Sequence, residues 1–311
     1  MNSRTASSER SGLAGVLPVV QLPFHEDEQI DFHCLSKEID WLFEQGAHGI
    51  VTAMVTETLR LTQSERKEVA QHICQQVAKR GDAIISVGAE STFAAIDFAK
   101  HAESVGATAL MAIAPVSVPP LADELIRYFE RIIQAVSIPV IIQDASGYVG
   151  RSVGIPSMVE LLAKFGPERV LFKPEAAPLG PQLSDLRNAT NGQARVFEGS
   201  GGIALLDNYR RGIVGTMPGS DLIVGVAALW RALEQGDHDR AYKISLPLSS
   251  VVSLQVGLDG FLAIEKHLLV RQRVFQNQVV RGPVAYRLDN ETRDEVDRLF
   301  DLLMKAVGSA I

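Results

Sequence analysis

The stretch Arg169-Val170-Leu171-Phe172-Lys173-Pro174-Glu175 is an apolar run that ends on a charge. A strand covered on both faces reads as a continuous apolar run. Pro174 cannot extend a ladder and pushes the residue before it into an extended conformation, so a strand is expected to stop here. A lysine closing such a strand needs a reason. A buried ammonium is costly, and the neutral amine that burial favours is a nucleophile toward ketones, the chemistry of Schiff-base lysines. Taken alone, these residues also fit a surface lysine at a strand end, paired with Glu175.

Seven more runs of this kind flank it. They are Val16 to Leu22, Gly49 to Met54, Ala83 to Val87, Ala109 to Ala114, Pro139 to Gln143, Arg195 to Phe197 and Ile213 to Met217. Between them lie helical patterns at Phe32 to Gln45, Gln63 to Lys79, Thr92 to Val105, Ala122 to Val136 and Ile155 to Phe165. The first six runs recur roughly every 30 residues, the length of a βα unit. Eight such units predict an α/β fold, a (β/α)8 TIM barrel, over residues 13–235. Gly46, Gly106 and Gly212 each fall between a helix and the next strand, where glycine supplies a left-handed cap.

A further helical pattern, Leu222 to Glu234, follows the eighth run. Asp237 to Val252, Leu258 to Val270 and Thr292 to Ala306 then carry apolar residues at helical spacing, with Gly282-Pro283 breaking the last two. Residues 236–311 thus read as a C-terminal helical extension, too small to stand alone and expected to pack on the barrel or on a second subunit. Residues 1–12 are rich in Ser and Arg and read as a flexible terminus, neither a secretory signal nor a membrane span.

The 311 residues are 46% hydrophobic and carry 30 basic against 37 acidic side chains, net −7. That is ordinary globular composition with no basic stripe, so no nucleic-acid partner and no membrane are expected. Cys34 and Cys74 are too few for a disulfide framework, and a reducing cytoplasm is the simplest compartment. The scattered histidines offer no metal-ligand spacing, so no metal and no other cofactor is expected.

In such barrels the active site lies at the C-terminal ends of the strands. The residues that close the runs are therefore the candidates: Thr56 and Glu57, Ser117, Gln143 and Asp144, Lys173 and Glu175, Gly199 and Ser200, and Gly219. Lysine, carboxylate, hydroxyls and glycine turns form a coherent set. The amine condenses with a ketone, the protonated imine withdraws electrons, and a carboxylate or hydroxyl moves the proton. Each has a plainer reading. Ser200-Gly201-Gly202 could be only a turn, Gln143 could satisfy buried backbone, and Asp144 could cap the turn that follows it.

From about Gly15 onward the chain resembles the Schiff-base lyases related to dihydrodipicolinate synthase and N-acetylneuraminate lyase. The resemblance rests on Pro18 to Phe24, Thr62-Gln63-Ser64-Glu65-Arg66, Ile138-Pro139-Val140-Ile141 and Phe172-Lys173. It implies that Lys173 forms the imine. Where the family carries Gly-Thr-Thr-Gly-Glu, this chain has Ala53-Met54-Val55-Thr56-Glu57, keeping only the glutamate. Gln143 stands for the proton-shuttling tyrosine of the fifth strand. Ser117 stands for the tyrosine that crosses a dimer interface, and Tyr148 for an arginine that grips a second carboxylate.

Val140 to Ala145, Phe172 to Glu175 and Gly215 to Gly219 are similar to the 2-keto-3-deoxy sugar acid dehydratases, the 2-keto-3-deoxyarabonate enzymes above all. That resemblance implies Glu175 as an acid or base and Thr56 as a hydroxyl contact. Together with the strand-end positions, this makes Lys173, Glu175 and Gln143 the catalytic candidates and Thr56, Glu57, Ser117, Asp144, Gly199, Ser200 and Gly219 the candidate substrate contacts. The resemblance implies a small-molecule 2-keto acid as substrate. It also implies a homo-oligomer, dimer or tetramer. An aldolase acting on the same substrate and a non-catalytic keto-acid-binding barrel remain open.

Overall fold

A computed structural model describes residues 12–147 and 149–308. Residues 1–11 of the expected flexible terminus, and Tyr148, lie outside them. Eight parallel strands appear where the apolar runs stand: β1 (Gly15–Val16), β2 (Gly49–Val51), β3 (Asp82–Ser86), β4 (Ala109–Ile113), β5 (Val140–Asp144), β6 (Val170–Pro174), β7 (Phe197–Glu198) and β8 (Gly215–Thr216). They pair in the order β2-β3-β4-β5-β6 and β1-β8-β7. Bridges Val19–Val51 and Phe172–Val196 join the two sets, which closes the (β/α)8 barrel. The first run yields the shortest strand relative to its apolar length. Pro18 interrupts it and Pro23 follows it directly, so Val19 alone bridges onward to Val51 and Gly219.

The outer ring is α1 (Phe32–Glu44), α2 (Gln63–Val77), α3 (Thr92–Ser104), α4 (Ala122–Ala135), α5 (Ile155–Phe165), α6 (Leu179–Ala189), α7 (Leu205–Arg210) and α8 (Ile223–Gln235). Start signals are local. Asp31 accepts the Cys34 N–H, Ser91 accepts the Ala94 N–H, and Thr62 with Glu65 forms a reciprocal capping box. The sequence patterns pass over α6 and α7, whose segments are short and only weakly periodic.

Strand alternation decides what faces the barrel axis. Ile141 and Leu171 belong to the inner cluster with Leu17, Val51, Ile84, Met111, Phe197 and Met217. Val140, Ile142, Val170 and Phe172 instead pack outward against the helices. Two residues beyond Ile141 and Leu171 come Gln143 and Lys173, which are direct neighbours in the β5–β6 register. The period of two therefore turns both polar side chains inward at the C-terminal mouth.

Three further helices follow: α9 (His238–Val252), α10 (Gly257–Arg271) and α11 (Asn290–Val307). α9 packs on α8 and α11, whereas α10 reaches the loop after β2. That loop makes two 3-10 turns, Met54–Thr56 and Thr58–Arg60, hinged at Glu57 in a left-handed conformation. The Glu57 carboxylate is fully buried and lies 2.6 Å from the Lys266 ammonium of α10. It also accepts the Arg281 N–H at 3.0 Å. Lys266 donates as well to the Val279 carbonyl and sits over the Phe24 ring. Burial pushes the Lys266 ammonium below its ordinary value, and Glu57 opposes that shift.

Breaking a buried pair from one side leaves an uncompensated charge, at about 3–5 kcal/mol. Glu57→Ala is therefore expected to lower unfolding stability by about that amount, measured by urea denaturation.

Candidate active site

The strand ends enclose a cavity of about 50 Å3 at the barrel mouth. Val19, Ala53, Met54, Val55 and Met217 give it apolar walls; Gln143, Lys173, Glu175, Gly199, Gly219 and Glu265 line the rest. Leu258 and Phe261 close one side from α10.

Lys173 and Glu175 form the polar centre. Their side chains are 4% and 5% exposed, and the Lys173 ammonium donates to Glu175 Oε1 at 2.9 Å. Glu175 Oε2 accepts from the Gln143 amide. Burial raises the Glu175 carboxyl above its ordinary value; Lys173 and the Gln143 hydrogen bond oppose the rise, and Glu198 adds to it. A carboxylate lifted in this way moves toward the range useful for proton transfer near neutral pH. Gln143 Oε1 is buried with no hydrogen-bond partner. An unpaired buried acceptor beside an amine and a carboxylate leaves a position for a hydroxyl donor.

Gly199 makes this packing possible. A Cβ there would stand 2.6 Å from both Lys173 Cε and Glu175 Oε1.

The remaining candidates separate from the cavity wall. The Thr56 hydroxyl donates to the Val20 carbonyl at 2.8 Å and accepts the Ala53 N–H at 3.0 Å, so it is committed to the loop. Glu57 is held by Lys266. The Asp144 carboxylate accepts from Ser146 N, Ser152 Oγ and Val153 N, and organises the loop after β5. Ser200 binds Glu198 through its N–H and hydroxyl. Ser117 is exposed, its N–H held by Glu90. Asp144 closes β5 and the other four lie in turns and loops; the structure does not bring these five into the cavity with Lys173. Their short polar side chains find backbone N–H groups or a neighbouring charge first.

Sequence reasoning missed Glu265. It faces the cavity from α10, one residue before Lys266, and is 2% exposed. No local motif marks it; the only signal is a glutamate beside a lysine inside an apolar helical pattern, Leu258 to Val270. Among the described residues, no group of three or more His, Cys, Asp or Glu could hold a metal ion. Nor is any single described helix long and apolar enough to cross a membrane.

Comparison with known proteins fits this geometry. The model of the dihydrodipicolinate synthetase family matches residues 12–302, and the chain belongs to that family. It is accordingly an enzyme of the lyase class, which stands against a non-catalytic barrel. It is 28% identical over 248 residues to 4-hydroxy-tetrahydrodipicolinate synthase of Bartonella quintana (strain Toulouse), covering 78% of this chain and 84% of that protein. The enzyme of the same name from Bartonella bacilliformis is 25% identical over 290 residues, 92% of this chain and 96% of that one.

Among solved structures, dihydrodipicolinate synthase from Rhodopseudomonas palustris superposes with a TM-score of 0.83 at 22% identity, over 94% of this chain and 98% of that one. YagE, a prophage protein of the dihydrodipicolinic acid synthase family from E. coli K12 solved in complex with pyruvate, gives 0.84 at 22% identity, over 94% and 99%. These likenesses show the fold.

Gly199→Ala is expected to displace Lys173 and Glu175 and to lower turnover by about 10²-fold, the usual cost of a misplacement near 1 Å. Far-ultraviolet circular dichroism should match the parent.

Proposed function

We propose that this member of the family is a lysine Schiff-base lyase that dehydrates a 2-keto-3-deoxy sugar acid. Lys173 condenses with the C2 ketone and loses water to give the imine. Protonated, the imine is the electron sink, so the scheme requires no added cofactor. Glu175 takes the C3 proton, having both the position and the raised basicity for it. The C4 hydroxyl then leaves as water, and hydrolysis returns the Lys173 amine.

The observation that carries this reading is Gln143. It stands where the family's relay tyrosine is expected, holds Glu175 against Lys173, and leaves its own Oε1 buried and unpaired beside the cavity that the residue lines. A hydroxylated substrate supplies the donor that this oxygen lacks, whereas pyruvate alone does not. The pyruvate bound to YagE supports a small 2-keto acid as the imine partner. The branch-specific runs, Val140 to Ala145 and Phe172 to Glu175, support the sugar-acid class. The reading carries with it a homo-oligomer in the cytoplasm.

Cleavage of the same substrate to pyruvate and an aldehyde uses the same imine, and the products separate the two. Supplied with 2-keto-3-deoxypentonates and 2-keto-3-deoxyhexonates, the enzyme is expected to yield a product lighter by one water, with no pyruvate detected by coupled lactate dehydrogenase. Lys173→Ala should abolish that product. Stoichiometric pyruvate release would overturn dehydration in favour of cleavage.

A further inference from the structure

The cavity has a second carboxyl wall. Glu265 reaches it from α10, and Gly219, the residue beside it, also lines the cavity. A Cβ on Gly219 would stand 2.3 Å from Glu265 Oε1 and 2.8 Å from Asp221 Oδ1, so only a glycine leaves room there for the two carboxyls. The other oxygen, Oε2, accepts from the Gln21 amide, which fixes the carboxyl in place.

Behind Glu265 lies a group of acids with too little positive charge to balance it. Glu38 of α1 is fully buried and accepts the Gln21 N–H at 3.0 Å, while its Oε2 is unpaired. Asp221, after β8, is 1% exposed and accepts from the Gln255 amide. The cation on this side is Lys266, already held by Glu57, with Arg60 3.7 Å from the same carboxylate. Across the cavity stands Lys173, which is paired with Glu175, and Glu198 acts on that same carboxyl.

Carboxylates this close cannot all ionise in a dry site, so protons are retained among them. Burial lifts Glu38 to about 8 and Asp221 to about 7. Glu265 is raised well above its ordinary value by burial, with Asp221 and Glu38 adding to the rise.

We propose that Glu265 is the catalytic acid of the cavity, giving the proton with which the substrate's C4 hydroxyl departs as water. The assignment rests on the dehydration reading above and adds to it the proton donor that Thr56 and Ser117, as placed, do not supply. Glu175 removes the C3 proton, and the C3–H electron pair becomes the C2–C3 double bond of the enamine. That pair returns to form the C3–C4 double bond as the C4–O bond breaks, and the Glu265 proton completes the water. One water is lost overall, because the water released on forming the imine is consumed on its hydrolysis. Glu175 ends protonated and Glu265 ionised, and a proton passed back through cavity water resets both. The C-terminal helices thereby contribute chemistry as well as support.

The test is Glu265→Gln, which keeps shape and removes the proton. Turnover with the keto-deoxy acid is expected to fall by about 10²–10⁴-fold, the usual worth of an acid catalyst. Pyruvate should still be trapped on Lys173 by borohydride at the parent's yield. The parent's activity should decline at alkaline pH as Glu265 ionises. Glu38→Gln removes a neighbouring charge and should move that decline to lower pH. In the parent, the infrared carbonyl stretch of a protonated carboxyl should be present near neutral pH and weaken in Glu265→Gln.

Unchanged turnover and an unchanged alkaline limb in Glu265→Gln would overturn the assignment while leaving the Lys173 reading intact. Loss of trapping in step with turnover would make Glu265 structural and overturn it too. Failure of the parent to trap any keto acid would remove the dehydration reading itself. An unaltered infrared band in Glu265→Gln would contradict the protonated acid whatever the substrate.

Discussion

The contact between Lys173 and Glu175 inside the barrel mouth is what the site depends on. Two side chains almost closed to water face each other at 2.9 Å, two residues apart on one chain. A buried charge without a partner is severely unfavourable, so each needs the other. The pair also restricts its surroundings. Residue 199 must be glycine-sized, and Gln143 on β5 must sit beside Lys173 on β6 to take up the second carboxylate oxygen.

Much of this was legible in the sequence, for a reason specific to parallel barrels. Strands buried on both faces advertise themselves as apolar runs, and α/β connections give them a regular spacing. Lys173 stood out because it broke a run at its end, and Gln143 because it closed the neighbouring one. Strand alternation turns both inward, and the β5–β6 register, which the sequence does not state, sets them side by side. Helix starts at Asp31, Thr62 and Ser91 are set by short-range cap chemistry. The strand bounds were less so, since the prolines of residues 18–23 leave only Gly15–Val16 as ladder.

What the sequence hid was long-range. Thr56, Asp144 and Ser200 stand at or just beyond strand ends, yet nearby backbone groups, the Ser152 hydroxyl and the Glu198 carboxylate claim their side chains. Glu57 looks like part of a binding loop but answers a lysine more than 200 residues away. Glu265 comes to the cavity only because α10 folds back over the β2 loop. No periodicity in residues 258–270 states which neighbour that helix will meet. The C-terminal helices thus supply both the clamp on Glu57 and an acid wall, with Lys266 and Glu265 adjacent in sequence and facing different partners.

The central claim is that Lys173 is the residue that bonds covalently to a 2-keto acid. Borohydride reduction in the presence of pyruvate or a 2-keto-3-deoxy sugar acid, followed by peptide mass spectrometry, tests it most directly. One reduced adduct per chain is expected, on the peptide containing Lys173, and none in Lys173→Ala. An unmodified Lys173 after reduction with every keto acid tried, or an adduct confined to another lysine, would contradict it.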